Sequence, residues 1–147
     1  MTYEQSQQLY DADFFNWTQA MAERLRARDA GSLDWENIAE EIDSMGKRDY
    51  RALGSRMEVL LTHLLKWRYQ IERRSRSWAG TIHTQRSRIE RIALDSPSFV
   101  VRIAAEMPDI YRHARRQASI ETGIPEGNFP AECPWTFETA TGEPFEI

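Results

Sequence analysis

Apolar residues recur along this chain at intervals of three and four, and no stretch alternates convincingly with polar ones, so the pattern predicts helices and no strands. The first expected helix follows Asp11 or Asp13, either of which can cap it, and runs to about Ala30. Phe14, Trp17, Thr18, Met21 and Leu25 share one face, and Gly31 ends it. A second begins near Ser32 or Asp34, with Trp35, Ile38, Ile42 and Met45 in phase; Gly46 either stops it or is passed through. The third, about Asp49 to Ile71, carries the longest stripe: Leu53, Met57, Leu60, Leu64, Trp67 and Ile71. That spacing is nearly a seven-residue repeat and suits packing in a bundle. The fourth starts after Ser75 or Ser77 and reaches about Leu94, with Trp78, Ile82, Ile89 and Ile92 in phase. A fifth, about Pro97 to Glu121, aligns Phe99, Ile103, Met107, Ile110 and Ala114; Pro108 inside it is expected to kink or restart it.

All 6 prolines lie after residue 96, so the first part of the chain is free of the strongest helix breaker. The expected fold is therefore all-α. It is a single-domain bundle of four to five helices over about residues 11–122, followed by an irregular Pro-rich tail, 123–147, with a short helix from Pro134.

Composition narrows the class. A length of 147 residues suits one domain of ordinary size, able to bury roughly two thirds of its unfolded surface. Leu, Ile, Val and Phe make up only about a fifth of the chain, close to disordered compositions. A net charge of −4 with 5 Trp, 5 Tyr and 6 Phe places it among folded proteins instead. No apolar run long enough for a transmembrane helix exists, and no membrane association is expected. Met1 to Tyr10 is polar and does not read as a secretory signal. Cys133 is the only cysteine, which excludes an internal disulfide and a cysteine-built zinc site and makes the cytoplasm the expected compartment.

Charge is unevenly placed. Residues 66–91 carry 8 basic and 2 acidic side chains, a net of +6, between segments that each sum to −5. Within this basic segment Lys66, Arg68, Arg73, Arg74, Arg76 and Arg86 are interleaved with Trp67, Tyr69 and Trp78, the pairing that phosphate recognition and base stacking use. Either these arginines meet an anionic partner or they pair with the acidic helices on either side. The acidic net charge argues against a nucleic-acid domain.

Two polar placements also break the bundle pattern. Arg56, His63 and Gln70 line the edge of the third helix's stripe, and Glu41 lies at the edge of the second's, so Glu41 and His63 could meet across an interface. A carboxylate holding an imidazole is the start of acid–base chemistry, and it is equally a satisfied interior pair; these two are the catalytic candidates. Gln85 sits mid-stripe between Ile82 and Ile89, where it needs hydrogen-bond partners, either to set the bundle register or to contact a ligand. His63, His83 and His113 fall on three helices, and His83 is expected to face solvent, so no metal site and no cofactor are expected. There is no glycine-rich phosphate loop, no nucleophile elbow and no His-Glu-x-x-His pair.

The segments LDWENIAEEI (33–42), HLLKWRYQIERRSRSWAGTI (63–82) and FPAECPW (129–135), with YDADFFNW (10–17), are together distinctive, and the chain resembles the bacterial family of domain of unknown function 29 over nearly its whole length. Ile71 departs from the pattern, which usually has proline there. The resemblance implies a compact, largely helical cytoplasmic protein and brings no activity, substrate or cofactor. Its signature covers Trp35, Glu36, Glu41, His63, Lys66, Trp67, Gln70, Arg74, Ser77, Trp78, Gln85 and Arg86.

Three functions compete. The first is a non-enzymatic binding or regulatory domain with an Arg/Trp contact turn. Its binding residues are Trp35, Lys66, Trp67, Gln70, Arg73, Arg74, Arg76, Trp78, Gln85 and Arg86, and its expected partner is a protein, with nucleic acid the alternative. The second is an enzyme using a Glu41/His63/Gln70/Gln85/Arg86 pocket for acid–base or metal-assisted chemistry on a small anionic substrate. The third is a structural partner acting as a homodimer.

Overall fold

A computed structural model describes residues 1–145, which are all-α with six helices and no strand among the described residues: α1 (Tyr3–Ala12), α2 (Phe14–Arg26), α3 (Trp35–Tyr69), α4 (Arg76–Asp95), α5 (Ser98–Thr122) and α6 (Phe137–Gly142). The chain divides into two compact units, Met1–Arg48 and Asp49–Ile147.

In the first unit, α1 precedes the earliest helix expected from the pattern. Its start is a capping box: the Thr2 hydroxyl accepts from the Gln5 backbone N–H, and the Gln5 side chain accepts from the Thr2 N–H. Asp13 then closes α1 and opens α2, its carboxylate accepting from the Asn16 N–H. The second helix stops at Arg26 rather than near Ala30, because Arg28 adopts a left-handed φ of 57° and breaks the ladder before Gly31. Trp17, Met21 and Leu33 are buried, with Leu9, Tyr10, Ala20 and Ile38 packed around them. Buried Asp34 caps the start of α3 through the Asn37 N–H. The expected core positions Phe14, Leu25, Trp35, Ile42 and Met45 are instead exposed. They share faces as the periodicity implies, but so small a unit covers only the line through Trp17 and Met21.

Gly46 does not end a helix; α3 runs through it to Tyr69. In the second unit the residues of α3 bury Leu53, Met57, Leu60, Leu64 and Trp67 as expected, and Leu61 and Leu65 as well, because α3 is covered on more than one side. Ile71 is the exception at 64% exposed: α3 has already ended, and Ile71 begins a short 3-10 turn, Ile71–Arg73. From α4 come Ile82 and Ile89, and from α5 come Ile103, Met107, Tyr111, Ala114 and Ala118. Pro108 does not restart the element; α5 runs unbroken from Ser98 to Thr122. The carbonyl that loses its donor to the proline ring belongs to exposed Ala104, where water can replace the bond. Gly123, at φ 75°, closes α5 in the left-handed conformation that glycine adopts without strain.

Residues 124–140 are tied down along their length. Phe129, Trp135 and Ala140 are buried in the same core, the Tyr111 hydroxyl donates to the Pro130 carbonyl, and Arg115 donates to that of Phe129. The short helix of this segment begins at Phe137, capped by Thr136, slightly later than Pro134.

Candidate functional site

In the second unit three arginines of the basic segment line a cavity of about 230 Å³, together with Leu64, Trp67, Trp135, Glu143, Pro144 and Phe145: they are Arg68, Arg74 and Arg86. Its geometry starts from the end of α3. The helix breaks at Gln70, whose side-chain amide donates to the Thr122 carbonyl at 3.3 Å and ties the turn to the end of α5. The chain then reverses through the 3-10 turn, and Ser75 restarts it as α4 by accepting from the Trp78 N–H. This reversal swings Arg74 back over the helix it has just left. Its Nε donates to the Trp67 carbonyl at 2.8 Å, and its guanidinium lies 4.9 Å from the centre of the Trp67 ring. Arg68 stacks 4.7 Å from Trp135. Arg86, from α4, donates through Nε to the Ala140 carbonyl at 3.0 Å and sits 5.3 Å from the Phe145 ring.

Three guanidiniums are thus each seated on an aromatic face, which aims them without using up their charge. Among the described residues Arg74 and Arg86 each spend only Nε on a carbonyl, which leaves their terminal nitrogens to meet a planar oxyanion. Among the described residues none of Arg68, Arg74 and Arg86 is in an ion pair, and Glu143 is the one carboxylate lining the cavity. Partial burial lowers the Arg86 pKa, opposed by Glu143 nearby.

The other singled-out residues lie elsewhere. Lys66 is buried: its ammonium is 3.6 Å from Glu121 and 4.6 Å from the centre of the half-buried Trp78 ring. Arg73 on the turn and Arg76 at the start of α4 are exposed and do not line the cavity. Trp35 is 57% exposed in the first unit. Gln85 finds its partner in Arg56, which donates to it at 3.3 Å. Glu41 accepts a hydrogen bond from the Tyr10 hydroxyl inside the first unit. The His63 ring turns back to the Val59 carbonyl of its own helix, Nδ1 to O 2.9 Å, and burial lowers its pKa. Arg86 and Trp67 therefore share a cavity, whereas Glu41, His63, Gln70 and Gln85 each close a local contact. Among the described residues no three His, Cys, Asp or Glu side chains cluster as a metal site would need, and no helix is long and apolar enough to cross a membrane.

Sequence reasoning left Trp135, Glu143 and Phe145 out of the site, and counted Arg68 in the basic segment without placing it among the binding residues. The FPAECPW segment was distinctive in sequence, but no periodicity links it to α3, because the contact is made across more than sixty positions of chain.

The chain is all-α among the described residues. It belongs to the family described as domain of unknown function DUF29, whose model matches residues 9–145. No curated protein and no solved structure matches it.

Proposed function

We propose that the chain is a non-enzymatic binding module whose Arg68, Arg74 and Arg86, backed by Trp135, Trp67 and Phe145 in turn, receive an anionic segment of a protein partner. The observation that carries this reading is the set of three ring-backed guanidiniums free of ion pairs among the described residues. Burial of a guanidinium stem on an aromatic face is what interface arginines use to anchor carboxylates. The acidic balance of the whole chain favours a protein over a nucleic acid, which would meet repulsion outside the basic segment. The enzyme reading has less support, since His63 and Gln85 are engaged with Val59 and Arg56.

The test is binding of a fluorescein-labelled acidic peptide containing phenylalanine, and in parallel of a single-stranded oligonucleotide, across a salt series. Arg74→Ala/Arg86→Ala is expected to weaken peptide binding about tenfold or more, a loss of about 1.4 kcal/mol. Arg73→Ala/Arg76→Ala, at positions outside the cavity, is expected to change it little. Equal losses from both pairs, or tighter binding of the oligonucleotide than of the peptide, would overturn the assignment.

A further inference from the structure

The Arg/Trp cavity already has an aromatic ring and a carboxylate in it, and both come from one short segment, Glu143–Pro144–Phe145. The Phe145 ring meets the Trp67 ring edge-on, with centroids 5.2 Å apart and an interplanar angle of 81°, and lies 5.3 Å from the Arg86 guanidinium. It thereby helps to cover Trp67, which is 5% exposed. Glu143 faces the same cavity but stops short of an ion pair.

This segment is weakly held. Among the described residues its one backbone hydrogen bond runs from the Glu143 N–H, at its first residue, to the Thr139 carbonyl of α6. Pro144 has no N–H to donate. Among the described residues neither Pro144 nor Phe145 makes a hydrogen bond, and Glu143 and Pro144 are exposed. Beyond that bond at its start, the Phe145 ring is what retains the strap among the described residues, in contrast to the tail before it, which is fastened at Pro130, Phe129 and Ala140.

Resting on the binding reading above, we propose that Glu143–Phe145 is an intramolecular occupant of the arginine cavity, displaced by an acidic partner segment that brings its own aromatic side chain. The argument is chemical likeness. A carboxylate two residues from a phenyl ring is the complement of guanidiniums seated on tryptophan, and a partner segment with the same two groups competes for the same shelf. Displacement exchanges one ring contact for another and adds direct carboxylate–guanidinium bonds that Glu143 does not make. The tail lowers the apparent affinity by the fraction of molecules in which it is seated.

The probe is a fluorescein-labelled synthetic peptide with the sequence of residues 139–147, TATGEPFEI, titrated in trans against the full chain and read by anisotropy. Phe145→Ala, with an unchanged far-ultraviolet dichroism spectrum, is expected to bind it about tenfold tighter than the wild-type chain. A peptide with alanine in place of its phenylalanine is expected to bind neither. Adding Arg74→Ala/Arg86→Ala to Phe145→Ala is expected to abolish binding. Equal affinity of the wild-type and Phe145→Ala chains, with the arginine dependence intact, overturns the strap and leaves the acidic-ligand reading standing. Absence of binding to both chains also overturns the strap. Binding that ignores the arginines overturns the reading beneath it. Phe145→Leu serves as a second variant, keeping an apolar contact on Trp67 while removing the ring, and is expected to fall between the two.

Discussion

Removing the carboxylate of Glu121 tests how the second unit carries a buried charge. The Lys66 ammonium lies 3.6 Å from Glu121 Oε1; the lysine side chain is 9% exposed and the glutamate 36%. At that separation the attraction is about 4.6 kcal/mol for an effective dielectric of about 20. Much of it is cancelled by screening at the half-exposed glutamate and by the desolvation of Lys66. Glu121→Gln keeps the volume but leaves the ammonium with the Trp78 face as its main compensation. Removing one partner of a fully buried pair costs about 3–5 kcal/mol, so with one side open to water the expected loss is about 1–2 kcal/mol. For a chain near this size that lowers the melting midpoint by about 3–7 °C. Lys66→Met in the Glu121→Gln background replaces the stranded charge with an apolar chain of similar length, and should recover most of the loss. Urea denaturation of the two single variants and the double variant measures the coupling directly. A Glu121→Gln chain within about 0.3 kcal/mol of wild type, or a double variant showing the sum of both single losses, would refute the picture of a charge dependent on this partner.

Two further outcomes are expected. Ser75→Ala removes the cap that restarts α4, and should cost about 0.5–2 kcal/mol in the same urea experiment; no loss would show that the Ser75 bond to the Trp78 N–H contributes nothing. Burial pushes the Tyr111 phenol up to about 12, so the folded chain keeps a proton that the unfolded chain, titrating near 10, gives up. Stability is therefore full below the unfolded value and falls as pH rises from about 10 toward about 12, and a Tyr111→Phe chain should show a flatter decline in thermal midpoint over that interval; identical profiles would refute the assignment.

Helical phase was legible wherever a face became buried. Leu53, Met57, Leu60, Leu64 and Trp67, and Ile82 with Ile89, lie in the core that their spacing implied. Trp35, Ile42 and Met45 have the same kind of spacing and stand exposed. Periodicity says which side chains share a face and is silent on whether anything covers it. Gly46 was undecidable for a related reason. A glycine within an exposed helix costs only about 1 kcal/mol relative to alanine, which the helix on either side can outweigh.

The candidate site divides along the same line. Local sequence was enough to mark Trp67, Arg74 and Arg86, because charge density and phase are properties of neighbouring residues. Only the folded chain could separate Arg74, turned back onto Trp67 by the break at Gln70, from Lys66, sunk beside Glu121 and Trp78. Only the folded chain, too, could bring Trp135, Glu143 and Phe145 to that place. Such contacts join side chains far apart along the backbone, and what decides them is how the helices pack, which short-range spacing does not encode.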